Sequence, residues 1–355
     1  MRRAYGHLGN RHVVRNAYHA GGDYWKPCSN GAAGVQLKLR ETMNPSFLAV
    51  LLGTLLLLLL ATAIVTLLSR LRPTRDFDEL MKRVKTWWVI AVLFLGALIP
   101  GRGVTLGFFA FLSFLALKEY FSLIPTRRAD RRVLFYAYLA IPIQYAWVYR
   151  DWYGMFAIFI PVYMFLFLPL KMVMIGETEG FLQAVGTVYW GLMTTVYSLS
   201  HLGALLLLPH RAGGVWRSEP TGGVSLVLFV VLLTQLNDVM QYIWGKSLGK
   251  AKVVPSVSPG KTWAGLIGGA STTVVLSVAL APYLTPLSLI QSVFAGVVIG
   301  LGGFFGDTTV SAIKRDLHQK DSGTMLPGHG GILDRVDSLT YTAPLFFHLV
   351  RYLSF

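Results

Sequence analysis

The chain has 355 residues, 54% hydrophobic and only 14% charged, with a formal net charge of +15. A soluble globular domain carries about 25% charged residues, so this composition excludes an ordinary soluble protein and points to a polytopic membrane protein. The basic residues lie in short loops between apolar runs, leaving no soluble basic domain to bind nucleic acid. Cys28 is the sole cysteine, so no intrachain disulfide can form.

In chain order, residues 1–42 are polar and Gly-rich and carry Arg2, Arg3, Arg11, Arg15, Lys26, Lys38 and Arg40. No apolar stretch follows the basic start directly, as a signal peptide would require. Apolar spans are predicted at Ser46–Leu68, Trp87–Pro100, Val104–Leu117, Val133–Val148, Gly154–Leu170 and Phe181–Leu208. Four more follow at Val224–Ile243, Trp263–Leu280, Leu287–Phe305 and Leu339–Leu353. The expected fold is all-α, a polytopic integral membrane protein with about ten transmembrane helices and no internal repeat. It divides into a polar basic leader (1–42), N-terminal transmembrane helices (43–224) and a second transmembrane region holding the polar motifs (225–355).

Charge sets the expected orientation. Arg70, Arg72, Arg75, Lys82, Arg83 and Lys85 lie between spans one and two; Lys118, Arg127, Arg128, Arg131 and Arg132 lie between three and four. Lys246, Lys250, Lys252 and Lys261 precede span eight, and a charged run lies between nine and ten. The alternate loops are poorer in Lys and Arg, with Arg102 alone in one and Arg150 in another. The positive-inside rule places the basic loops in the cytoplasm and both chain ends outside. The expected location is the cell's inner (plasma) membrane, multi-pass, with the polar site facing the cytoplasm. A basic leader outside runs against the same rule. Translation starting at Met43, just before span one, would resolve the conflict; a disordered tail is the rival, and N-terminal sequencing separates them.

Four segments carry chemistry. If the ninth span continues as helix, Asp307, Ser311 and Lys314 fall at i, i+4 and i+7 on one face, with Arg315 beside them. Asp307 offers hard oxygen to a cation, and Lys314 and Arg315 offer charge to phosphates. An interfacial helix end with snorkelling cations reads the same residues without a ligand. Next come His329-Gly330-Gly331, a turn, and Leu333-Asp334-Arg335-Val336-Asp337. Asp334 and Asp337, three apart, can face one side near a helix N-terminus. Carboxylates beside phosphate-binding cations make electrostatic sense with a divalent metal between them and the substrate; a carboxylate-rich cap paired with Arg335 is the plain alternative.

The third segment sets Asn237, Asp238 and Gln241 inside span seven, where polar groups serve function or interhelical hydrogen bonds. The fourth is Ser258-Pro259-Gly260-Lys261-Thr262-Trp263. It is not a Walker A loop, because Pro255 stands where the first glycine is required. Ser258 as N-cap and Pro259 as first helical residue would start a helix whose free amides, with Lys261, could hold a phosphate; a plain cap beside an interfacial Trp263 is the alternative. His201 reads as a hydrogen-bonded packing residue. Glu119, Glu177 and Glu179 flank basic loops and receive no role.

Ser311-x2-Lys314-Arg315-x4-Lys320-Asp321-x-Gly323-x2-Leu326-Pro327-x-His329-Gly330-Gly331-x2-Asp334-Arg335-x-Asp337 resembles the signature of the CDP-diacylglycerol synthases, also called phosphatidate cytidylyltransferases. Asp238-x3-Tyr242-x2-Gly245 and Ser258-Pro259-x-Lys261-Thr262-Trp263-x-Gly265 resemble that family's upstream motifs in the expected order. The resemblance is specific over roughly residues 225–355; residues 43–224 match only as apolar spans. The pattern departs at Ala264, where the family usually has an acidic residue, and at Gln241, which replaces a small one.

The resemblance implies transfer of a cytidylyl group from CTP to phosphatidate, giving CDP-diacylglycerol and pyrophosphate. It implies magnesium at Asp307, Asp334 and Asp337, a second, monovalent cation as a further expectation, and a homodimer. Lys314 and Arg315, with Asp334 and Asp337, are the expected catalytic residues. Ser258, Lys261, Ser311, Lys320, His329, Gly330, Gly331 and Asp238 are the expected substrate-binding set, with Lys261, Lys314, Arg315 and Lys320 on phosphates. His329 either binds phosphate or organises the turn, and Asp321 and Arg335 would pair behind the site. A CTP-dependent polyprenol or phytol kinase is the alternative within the wider superfamily. A transporter using Asp238 and Asp307 as pathway carboxylates is the alternative outside it.

Overall fold

The computed structural model describes residues 45–71, 78–125, 127, 130–208, 222–319, 322–323 and 330–355. The leader 1–42, Met43, Lys320, Asp321 and His329 lie outside the described residues. The chain runs through α1 (Pro45–Leu71), α2 (Asp78–Leu98), α3 (Arg102–Leu123), α4 (Arg131–Tyr149), α5 (Tyr153–Val173) and α6 (181–205). It continues through α7 (Gly222–Leu248), α8 (Trp263–Leu284), α9 (Leu289–Asp316), the single turn α10 (Leu333–Val336) and α11 (Leu339–Ser354). Each predicted span falls on one helix. Lys252–Thr262 is the only strand-like pairing among the described residues.

By length and apolarity, six of these can cross a membrane alone: α1 from Leu52, α3, α5, α7 from Gly223, α8 and α9. The others are shorter, interrupted or more polar. The apolar part of α2 is only Val84–Leu98, and α6 is broken by a π-helical turn at Leu192–Tyr197. A second π turn, Phe159–Met164 in α5, contains Pro161, which cannot donate the helical hydrogen bond.

Local chemistry sets the ends of α9. The Ser288 side chain accepts from the Gln291 N–H and the Gln291 side chain accepts from the Ser288 N–H, a complete capping box. Its glycines then let neighbours approach. A Cβ on Gly300 would press on Ala270 of α8, and one on Gly306 would collide with the backbone at Asp337–Ser338. Between apolar helices such small-residue contacts bring backbones close enough to pack and to share hydrogen bonds. Helices α7, α8, α9 and α11 thus form one packed group, and α11 joins α6 and the N-terminal helices through a shared core that includes Leu202, Leu205, Phe346 and Phe347.

Asn237 on α7 is fully buried and ties three helices together. Its Nδ2 donates to the Gly300 carbonyl at 3.2 Å, and its Oδ1 accepts from the Thr273 hydroxyl at 3.0 Å. Asn237 therefore takes the interhelical role, and Asn237→Ala is expected to destabilise the fold by about 1–2 kcal/mol. Thermal unfolding in detergent checks this, with a shift to lower Tm as the expected result.

Candidate active site

The C-terminal ends of α3, α7 and α9 and the N-terminal ends of α8 and α11 gather at one end of the bundle. The segment before α8 folds back on itself. Val253 N–H donates to the Lys261 carbonyl at 3.2 Å, and Trp263 N–H donates to the Ala251 carbonyl at 3.1 Å. This return places Lys261 at the mouth of α7–α9.

The helix start here differs from the sequence expectation. Thr262, not Ser258, is the N-cap: its backbone is extended and its hydroxyl accepts from Gly265 N–H at 3.1 Å. Ser258 and Pro259 sit in a preceding turn, where the Ser258 carbonyl accepts from Lys261 N–H at 3.1 Å. That turn uses Ser258 before the helix begins, so Pro259 is not its first residue.

Lys261 is the hub of one cluster. Its Nζ lies 2.6 Å from Asp307 Oδ2 and 3.1 Å from Gln241 Oε1, over the face of Phe304. Burial alone would push its pKa down, yet the Asp307 and Asp238 carboxylates outweigh burial and hold it above the usual lysine value. Ser311 donates its hydroxyl to Asp307 Oδ1 at 3.3 Å, which confirms that Asp307 and Ser311 share one face of a continuing α9. Asp238 receives the Ser338 hydroxyl at 3.1 Å and lies in the field of Lys261, Asp307 and Arg335. Asp337 is buried and accepts the Ser338 N–H at 2.7 Å; burial first, then the Asp307 and Asp238 charges, raises its pKa well above the ordinary carboxylate range.

A second cluster forms two turns beyond Asp307 along α9. Lys314 Nζ is 2.6 Å from Asp334 Oδ1. The other oxygen, Oδ2, accepts from Ser322 N–H at 2.9 Å and Gly331 N–H at 3.0 Å. Burial would raise the Asp334 pKa, but Lys314 and the two amides overcome it and hold the group below its usual value.

The structure therefore brings Asp238, Lys261, Asp307, Ser311 and Asp337 together. It sets Asp334 apart, against Lys314, so the two carboxylates three residues apart take different partners. Gly330 has a positive φ of 74°, which a glycine tolerates. Arg315 is exposed and donates to the carbonyls of Val257 at 3.2 Å and Gln319 at 2.8 Å, bracing the return before α8. His201 is buried, bonded through Nδ1 to the Tyr197 carbonyl at 2.8 Å and packed among Phe156, Tyr197 and Phe347, as a packing histidine should be. The residue that sequence reasoning missed is Glu119, which meets the segment around Asp334 from more than two hundred positions away. Nothing local in the sequence marks it beyond a lone carboxylate inside an apolar helix.

Three carboxylates around Lys261 carry more negative charge than one ammonium neutralises, and hard oxygens of this kind suit magnesium. Among the described residues no three His, Cys, Asp or Glu side chains already stand as a ligand set, and Lys261 holds Asp307.

The chain is 46% identical over 296 residues to the uncharacterized protein YnbB of Escherichia coli (strain K12), covering 83% of this chain and 95% of that one. It is 39% identical over 183 residues to the chloroplastic phosphatidate cytidylyltransferase 5 of Arabidopsis thaliana, covering 45% of each chain. It is 38% identical over 151 residues to the phosphatidate cytidylyltransferase of Haemophilus influenzae, covering 39% of this chain and 52% of that one. The chain thus spans about half the length of these named transferases. The profile of the cytidylyltransferase family matches residues 81–353, reaching well beyond the signature to take in Glu119 and both lysine clusters. The chain belongs to the cytidylyltransferase family.

Proposed function

We propose that this enzyme transfers the cytidylyl group of CTP to phosphatidate, forming CDP-diacylglycerol and pyrophosphate for phospholipid synthesis. The observation that carries the reading is the pair of lysine–aspartate clusters, Lys261–Asp307 and Lys314–Asp334, at one end of a helical bundle. Family membership and the relatives named as phosphatidate cytidylyltransferases support the choice of CTP and phosphatidate. The basic loops favour a site opening onto the cytoplasm, where CTP is found, from the cell's inner membrane.

The chemistry asks little of a base. A phosphatidate oxygen is already anionic and attacks the α-phosphorus of CTP. A phosphorus–oxygen bond forms there, and the bond to the β-bridging oxygen breaks, its electron pair leaving with pyrophosphate. Catalysis then rests on alignment and charge neutralisation. Lys261 and Lys314, each oriented by an aspartate, supply fixed positive charge along one face of α9. Asp307 and Asp337, with Asp238 in place of the expected Asp334, whose oxygens are taken by Lys314 and two amides, would hold magnesium, which would supply charge to the triphosphate. EDTA is therefore expected to stop turnover and magnesium to restore it, and Asp337→Asn to raise the magnesium needed for half-maximal rate about 10- to 100-fold. Magnesium titration of the initial rate checks this.

An acceptor panel tests the substrate. Purified protein in detergent receives α-labelled CTP with phosphatidate, diacylglycerol or a polyprenol. Label entering lipid only with phosphatidate is the expected result. Transfer to a polyprenol instead would overturn the assignment.

A further inference from the structure

Glu119 sits near the end of α3, in the half of the chain that bears no signature motif, and it is 8% exposed. Its Oε1 accepts the Ser322 hydroxyl at 2.7 Å and its Oε2 accepts the Leu333 N–H at 3.0 Å. The same two stretches hold Asp334, since Ser322 N–H and Gly331 N–H both donate to its Oδ2. One carboxylate from α3 and one from α10 therefore hold Ser322 on one side and the Gly331–Leu333 backbone on the other.

Two glycines of the signature explain themselves at this point. A Cβ on Gly331 would overlap the Glu119 carboxylate and crowd the Ser322 hydroxyl, and one on Gly323 would also run into Glu119. A glycine-rich signature invites the reading that bare backbone is needed for phosphate to approach. Here the space beside both glycines is filled by a protein carboxylate.

The geometry points to Glu119 as a positioning residue for the transfer reaction. Its carboxylate fixes Ser322 and the 331–333 backbone, these fix Asp334, and Asp334 fixes the Lys314 ammonium. This inference rests on the proposed cytidylyl transfer. It assigns Gly323 and Gly331 to Glu119 rather than to the substrate. It also gives the N-terminal helices a part in the site, because α3 delivers the group that sets the signature segment. Glu119 touches no substrate in this scheme, so its charge matters less than its two hydrogen bonds. A glutamine in its place keeps an acceptor for Leu333 N–H and an amide that can donate to the Ser322 oxygen.

The test combines kinetics with hydrogen exchange on purified full-length protein in detergent. Glu119→Ala is expected to lower kcat roughly 10- to 100-fold while the KM for phosphatidate changes less than about threefold, because alignment rather than lipid binding is lost. Glu119→Gln is expected to recover most of that loss. Gly331→Ala should also be costly alone, yet add little to Glu119→Ala, because removing the carboxylate frees the space. Exchange at the amides of Ser322, Gly331 and Leu333 should quicken about tenfold or more in Glu119→Ala. Three results would each overturn the inference: full activity in Glu119→Ala, a Glu119→Gln variant as poor as alanine, or a Gly331→Ala penalty undiminished without Glu119. If wild type made no CDP-lipid but exchange still responded to Glu119→Ala, the transfer reading would fall and the grip on the segment would stand. Unchanged exchange in an active protein would do the reverse.

Discussion

Asp334→Asn is expected to lower kcat by about two to three orders of magnitude, the usual cost of losing one preorganised charge at a reacting phosphoryl centre. Aspartate uses both oxygens as acceptors: Oδ1 from Lys314, Oδ2 from the Ser322 and Gly331 amides. Asparagine has one acceptor and one donor. Whichever way it turns, its NH2 faces either the ammonium or two N–H groups, so at least one interaction becomes donor against donor. The loss of a charge-assisted pair costs about 1.5–3 kcal/mol by itself, and the released Lys314 is then free to take other rotamers. Initial rates at saturating CTP measure the effect. A variant within a few-fold of wild type would show that the Lys314–Asp334 pair is only structural.

The second large effect is expected at Lys261. Its ammonium is held by Asp307 Oδ2 and Gln241 Oε1, and it lies within the field of Asp238 and Asp337. Lys261→Ala removes the ammonium bonded to Asp307 and leaves three carboxylates facing an incoming triphosphate. The expected fall in kcat/KM is about 10³-fold, with the larger part in KM for CTP. Lys261→Arg should restore only a fraction, because a planar fork cannot replace a compact ammonium between a carboxylate and a carboxamide. Raising magnesium should recover part of the alanine variant's rate, since the cation and the lysine neutralise the same charges. An alanine variant with wild-type KM for CTP would contradict this role.

Much of this site could be read from the sequence because its spacing is helical. Asp307 and Ser311 stand four apart on an α9 that continues through its polar end, and the structure joins them directly. The apolar runs fall in helical stretches, the sixth broken by a π turn, because runs of Leu, Val, Phe and Ala leave few other ways to satisfy the backbone. What spacing could not give were partners fixed by tertiary packing. Asp334 and Asp337 look equivalent at i and i+3, yet one is drawn to Lys314 while the other is buried beside Asp307 and Asp238. The start of α8 shifted from Ser258 to Thr262, because a Ser-Pro-Gly turn competes with a helical start and Thr262 offers an equally good cap. Glu119 was invisible because its partners are hydroxyl and backbone groups distant in the chain, which leave no pattern in sequence.

The most direct measurement follows the two ends of CTP separately. Purified enzyme with phosphatidate and magnesium would be given CTP labelled at the α-phosphorus in one reaction and at the γ-phosphorus in another. Cytidylyl transfer predicts α-label in the lipid, γ-label in pyrophosphate, and one pyrophosphate for each CDP-lipid formed. Label from the γ-position in lipid, with CDP released, would make the protein a CTP-dependent lipid kinase, and no turnover of either label would remove the proposed reaction altogether.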